Sequence, residues 1–224
     1  MKKNLILLLL VLPLTLASCG TSKFFAGKAA DVKDIALIQP YSYLTDAMGD
    51  FSLHFVEVPS KINSALLADI ADDLLPVQQV VEMGYDYSDM KTPLNKWLRA
   101  LPGLSPGEAR ETVLPAELLA AAKSSGAPYA LILSDTGYVK DPDQYTAELV
   151  LENTVCVIDF LANDSLDLSK ETEAYMNCVA AILIDTNTGK AVWYGSRPKS
   201  YKFNPLDRKS LQGQVEKLFK DFTK

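Results

Sequence analysis

The sequence predicts an α/β sandwich, a single domain whose mixed parallel and antiparallel sheet carries helices packed on it. Three observations predict it. Short, continuous apolar runs at Ile35-Ala36-Leu37-Ile38 and Tyr129 to Ser134 have the character of strands buried on both faces, and Val77 to Met83 reads as another inner strand. Segments with helical spacing of apolar residues separate these runs. Two longer strand-like stretches and a closing helix follow, the pattern of helices covering a mixed sheet.

Taken in order, residues 20–33 show no period and read as a tether. Ile35 to Ile38 is the first inner strand. Phe51, Leu53 and Phe55 alternate with Ser52 and His54, as in a short, half-exposed strand. Ser60 is placed to cap a helix with an Ile62, Leu66, Ile70, Leu74 stripe, flanked by Leu67 and Ala71 and ended by Pro76. Val77 to Met83 reads as a second inner strand. Thr92-Pro93 opens a short helix with Leu94, Trp97, Leu98 and Leu101 at helical spacing, and Ser105-Pro106-Gly107-Glu108 has capping-box spacing.

Pro115 to Ser125 is a helix ended by Gly126 and Pro128; Pro115 either kinks a longer helix or starts a new one. Beyond Tyr129 to Ser134 lie two strand-like segments, Ala147 to Leu161 and Ala174 to Asp185. The turn Thr186-Asn187-Thr188-Gly189 leads into Ala191 to Tyr194 as a hairpin. Asn204-Pro205 caps a last helix with Leu211, Val215, Leu218, Phe219 and Phe222 on one face. Residues 83–114 look like an insertion in this plan, within a globular domain expected over 34–224.

Lys2 and Lys3, the apolar run Leu5 to Leu16 and the small residues Ala17 and Ser18 make a secretory signal over residues 1–18. A membrane span needs about 20 apolar residues, and this run is shorter and holds Pro13. Leu16-Ala17-Ser18-Cys19 resembles a bacterial lipobox, which implies cleavage before Cys19 and acylation, palmitate included, of that residue. Two or more acyl chains anchor a protein stably where one does not. The tether is then 19–33. Gly20, not aspartate, follows the cysteine. In the enterobacterial sorting pattern this suggests a cell outer membrane lipoprotein facing the periplasm, and the pattern varies between bacteria.

The chain of 224 residues carries a net charge of −6. Losing Lys2 and Lys3 with the signal takes it to about −8. No run of Lys or Arg offsets this. Nucleic acid and anionic headgroups are therefore poor electrostatic partners for the chain as a whole.

Ile35-Ala36-Leu37-Ile38 before a helix, Tyr129-Ala130-Leu131-Ile132-Leu133, and Ala181-Ile182-Leu183-Ile184-Asp185 with Gly189 and Trp193 together resemble a group of envelope proteins. The group includes the N-terminal domain of TolB, the penicillin-binding-protein activator lipoproteins and the curli-secretion lipoprotein. The likeness covers most of residues 34–222 and implies a non-catalytic envelope protein that binds partner proteins. The proline-rich 83–114 segment departs from paired transmembrane hairpins and so argues against a secretion pore.

No catalytic residue, cofactor or metal set emerges. His54 is the only histidine and falls with Ser52 on a polar strand face, whereas most catalytic zinc sites use several histidines. Gly-x-Ser-x-Gly and P-loop patterns are absent. Asp69, Asp72 and Asp73 share helical spacing, but three carboxylates leave a hard cation short of its six or more oxygens; they read as a solvated face. Asp141, Asp143 and Gln144 read as turn residues. Tyr41, Tyr43, Tyr85, Tyr87, Tyr201 and Phe203, in loops or at element ends, form either a binding patch or an edge-of-core set with wet hydroxyls.

Cys156 and Cys178 face one another if Ala147–Leu161 and Ala174–Asp185 pair as a hairpin centred near Asp167, which places a disulfide in reach; buried free thiols are the alternative. The expected partners are the membrane, through the lipid, and an envelope protein the sequence does not name; the oligomeric state is open. The competing functions are an envelope hydrolase using carboxylates or Cys156, and a subunit of an oligomeric export assembly.

Overall fold

The structure is a computed structural model that describes residues 21–47, 53–87, 89–140, 175–200 and 203–222. Its strands form one eight-stranded mixed sheet. They are β1 (Thr21–Phe24), β2 (Ile35–Ile38), β3 (Tyr41–Ala47), β4 (Leu53–Phe55), β5 (Val77–Val81), β6 (Tyr129–Val139), β7 (Tyr175–Asp185) and β8 (Ala191–Ser200). The helices are α1 (Glu57–Leu74), α2 (Pro93–Ala100), α3 (Pro106–Glu111), α4 (Ala116–Ser124) and α5 (Arg208–Leu218). Across the sheet the order is β1-β8-β7-β6-β2-β5, with β3 also paired to β6 and β4 to β3. β2 is parallel to β5 and β6; β6, β7, β8 and β1 are successively antiparallel.

Period-two alternation on the long strands divides the core in two. Leu131, Leu133, Val179, Ala181, Leu183 and Trp193 face α1 and α5. Ala130, Ile132, Ala180, Ile182 and Tyr194 face Leu98, Leu101, Ala109, Leu118 and Ala122 on the other side. Residues 93–124 are thus the second helical cover of the sheet. The proline and helix signals that look like an insertion in the sequence supply a layer the sheet requires, because a sheet buried on both faces needs two covers.

Several caps follow the sequence. Thr92 accepts from the Asn95 N–H at 3.2 Å, and Ser105 and Glu108 complete a reciprocal capping box. Pro115 is the N-cap of α4, separated from α3, so it starts a new helix. After β7, Asp185 Oδ1 accepts the N–H groups of Asn187 and Thr188, and Gly189 takes φ +70° to close the turn. α5 is capped by Asp207, three residues later than Asn204.

Four expectations change. Thr21–Phe24, read within the tether, is an edge strand on β8. Tyr41 and Tyr43, read as lying in loops or at element ends, belong to the strand Tyr41–Ala47. Val77–Val81 is an edge strand, not an inner one, with Gln78, Gln79 and Val80 exposed. α1 begins at Glu57, ahead of Ser60, and its buried face is Ser60, Asn63, Ser64, Leu67, Ile70 and Ala71, while Ile62 is 47% exposed. Three polar residues disguised that face. Each makes a side-chain hydrogen bond: Ser60 Oγ accepts from the Leu44 N–H (3.0 Å) and donates to Val56 O (2.8 Å), Asn63 Nδ2 donates to Pro205 O (2.7 Å), and Ser64 Oγ donates to Pro40 O (2.6 Å). Hydrogen bonding is what lets polar groups be buried at little cost.

Candidate partner-binding groove

β2 and β3 are successive pieces of one line along β6, from Ile35 opposite Tyr129 to Asp46 opposite Val139. Gln39-Pro40 interrupts that line, and Pro40 has no N–H for a ladder. The interruption frees Gln39 to fasten the chain beyond β5. Its N–H donates to Val81 O (2.8 Å), its Oε1 accepts from the Met83 (2.8 Å) and Gly84 (3.2 Å) N–H groups, and its carbonyl accepts from the Tyr85 hydroxyl (2.6 Å). Between this fastened segment, β5 and one side of α1 lies a groove of about 550 Å³. Pro40, Ala65, Ala68, Val80 and Tyr87 give it an apolar floor and wall, and Lys61, Asp69 and Glu82 charge its rim.

Aromatic rings stiffen one wall. Tyr87 stacks between Tyr41 (5.5 Å) and Phe55 (4.9 Å), Phe55 continues onto Tyr43 (5.2 Å), and Tyr85 meets Tyr41 edge-on. The Arg99 guanidinium sits 5.2 Å over Tyr43. Aromatic pairs of this kind add about 0.5–1.5 kcal/mol each beyond area burial. Burial pushes the Tyr87 hydroxyl up to about 12, and those of Tyr41 and Tyr85 higher still, so these phenols are neutral hydrogen-bonding groups at physiological pH. The six aromatics grouped by the sequence therefore separate. Tyr41 is fully buried, Tyr43, Tyr85 and Tyr87 line up beside the groove, Phe203 lies apart under Lys217, and Tyr201 is outside the described residues.

A second polar concentration is entirely buried. Asp135 of β6, Asn177 of β7, Asn63 of α1 and Gln214 of α5 meet where the two helices cross the sheet. Asn177 Nδ2 donates to Gln214 Oε1 at 2.6 Å, and both Asp135 oxygens lack a well-formed hydrogen bond. Burial raises the Asp135 carboxyl from 3.8 to about 6, against the opposing pull of the Asn177 and Asn63 amides and the Cys178 and Thr136 backbone. The Asn63 amide is oriented by its bond to Pro205 O, which leaves Asn63 Oδ1 as an acceptor without a donor. Asn177 Oδ1 is likewise an acceptor without a donor, and a protonated Asp135 supplies a donor to this cluster.

The remaining residues singled out by sequence fall as follows. Asp69 and Asp73 both bind Arg208, at 3.3 and 2.6 Å, clamping α1 to the start of α5 on the surface, while Asp72 is exposed. His54 is exposed on β4, opposite Asp46. Among the described residues no group of three or more His, Cys, Asp or Glu stands together as a metal set. Cys19, Cys156 and the Asp141-Asp143-Gln144 loop lie outside the described residues. Cys178 is half-buried on β7, its thiol 3.2 Å from Arg197 O. The expected Cys156–Cys178 bridge involves a residue outside the described ones.

Neither the groove nor Asp135 was found from sequence. The signal for Asp135 was available: it continues the Leu131, Leu133 alternation, but ending the strand at Ser134 hid it.

No protein-family model matches the chain, and no characterised protein matches it in sequence. Among solved structures, the chain is similar to the PelC dodecamer from Paraburkholderia phytofirmans, at 12% identity and TM-score 0.39, over 92% of this chain and 98% of that one. It is also similar to the LpoB C-terminal domain from Salmonella enterica, at 11% identity and TM-score 0.31, over 75% and 83% of the two chains.

Proposed function

We propose that this chain is a lipid-anchored protein of the cell envelope, held through Cys19 and facing the periplasm from the outer membrane, that binds a partner protein in the groove between α1 and β5. The observation that carries the binding reading is the groove itself, an apolar cleft with a charged rim beside an uncharged edge strand. β5 reads Val-Gln-Gln-Val-Val and, among the described residues, has a strand neighbour on one side only. An edge of this kind presents unpaired backbone groups to an incoming segment, and the stacked aromatics beside it provide a rigid wall. The groove offers shape and hydrogen bonds, and its side chains form no nucleophile–base pair, so binding rather than catalysis is what it supports.

Affinity capture with tagged wild type and with Val80→Asp tests the reading. Val80→Asp abolishes capture of the partner at unchanged melting temperature, and Val113→Asp, at an 86% exposed position outside the groove, leaves it intact. Equal capture by all three proteins refutes the groove. The anchor is tested separately: Cys19→Ala moves the protein from the membrane to the soluble fraction, and a variant still membrane-bound after a salt wash places the anchor elsewhere.

A further inference from the structure

The open edge of the sheet presents a definite set of backbone groups. Along a strand, successive residues turn their N–H and C=O groups to opposite sides. Val81 O accepts the Gln39 N–H at 2.8 Å, so Val81 bonds towards β2. Val80 therefore turns its N–H and C=O outward, and nothing among the described residues bonds them there.

Side chains alternate between the two faces of the sheet. Val80 and Glu82 fall together on the α1 face and line the groove, while Gln79 points the other way and donates to Ser125 O at 2.5 Å. A strand added to β5 would meet, on the groove face, an apolar residue and then a carboxylate two positions on. Across from them α1 presents Ala65 and Ala68, whose short side chains leave width for an incoming one. Val58 and Ile62, at helical spacing from Ala65, extend that apolar wall. With Val80 they are three of the four exposed large hydrophobic residues among the described ones, so the exposed apolar surface is concentrated here.

The charge around the groove is acidic. Glu57 pairs with Lys61 at 2.6 Å, and Asp69 and Asp73 share Arg208. With Glu82, four carboxylates face two cations. Of the charged lining residues Lys61, Asp69 and Glu82, the exposed Glu82 alone has no ion-pair partner among the described residues.

We propose that the groove takes an extended peptide segment that adds to β5 as a strand, placing an apolar side chain beside Val80 and, one residue removed from it, a Lys or Arg beside Glu82. This deepens the partner-binding reading above and rests on it. Main-chain bonds to the outward groups of Val80 hold the segment, and its alternate side chains supply the selectivity. An amphipathic helix would leave those groups unbonded and would space its anchors three or four residues apart.

The test selects from a display library of short random peptides on the purified, acylated protein in detergent. Wild type enriches, about tenfold or more, peptides in which an apolar residue and a Lys or Arg are separated by one position. Glu82→Lys keeps the apolar residue and selects Asp or Glu in place of the basic one. Val80→Asp enriches neither, and both variants melt at the wild-type temperature. A selected peptide remade with single N-methyl amides loses about tenfold or more in affinity at alternate positions only. Anchors spaced three or four residues apart, indifference to N-methylation, or the same basic residue selected on Glu82→Lys overturns strand addition. So does a wild type that enriches nothing, including one whose Val80-dependent self-association assigns the groove to a second copy. If Val80→Asp still abolishes capture of the cellular partner, that failure is of the strand alone; capture indifferent to Val80→Asp removes the groove reading beneath it.

Discussion

The two edges of the sheet are built on opposite principles. At β1 the edge is sealed: Phe24 packs against Trp193 and Phe222, Trp193 against Phe219, and Trp193 Nε1 donates to Ser22 Oγ at 3.0 Å. At β5, five uncharged residues close the sheet with no strand beyond them among the described residues, and the groove opens alongside. Five strand spacings of about 4.8 Å place the edges about 24 Å apart. A protein anchored beside β1 therefore carries its open edge away from the point of attachment. The contrast teaches that one sheet can use one edge for stability and the other for binding.

The largest expected effect breaks the sealed edge. Trp193→Ala removes the fully buried ring that joins β1 to α5, and costs about 3–5 kcal/mol in chemical denaturation. Leu218→Ala, also buried in this layer, costs about 2–5 kcal/mol. Val80→Asp on the open edge changes stability by no more than about 0.5 kcal/mol. Equal losses at the two edges would erase the distinction.

Asp135 gives an effect of intermediate size, in pH. Its carboxyl is raised from 3.8 to about 6 in the folded state, so folding takes up a proton between those values. The contribution is fully present below pH 3.8 and is lost as pH rises through 6, about 3 kcal/mol in all. Denaturation of wild type and Asp135→Asn across pH 4 to 7.5 isolates it: the variant gains relative to wild type as pH rises. A constant difference would show that Asp135 is ionised throughout.

Smaller still is Arg208→Ala. Its two carboxylate partners are more than half exposed, and exposed pairs contribute about 0–1 kcal/mol. The smallest is His54→Ala, on the exposed face of β4, which leaves melting temperature and partner capture unchanged. Loss of function with the fold intact would move the site to β4 and revive an enzymatic reading.

The sealed edge was more legible in the sequence than the open one. Leu211, Val215 and Leu218 have plain helical spacing, and the Asp185 to Gly189 turn before Trp193 carries its own chemistry, so the core behind β8 could be read directly. β1 itself was hidden, because Thr-Ser-Lys-Phe alternates only once and needs β8 to form. On the other side, Val77–Val81 is apolar enough to resemble an inner strand; only the strand order shows it to be an edge. α1 misled for a related reason. Its buried Ser60, Asn63 and Ser64 take partners from the Leu44, Pro205 and Pro40 backbone, distant contacts that helical periodicity does not encode. The groove depends on those contacts, and so does the Asp135 cluster.

The opposition of the two edges is tested most directly by placing a photo-crosslinking residue at Lys23 or at Val80 of the acylated protein in intact cells. The account predicts that position 23 crosslinks to phospholipid and position 80 to a protein. Lipid adducts at position 80, or protein adducts at position 23 with none at 80, would contradict it.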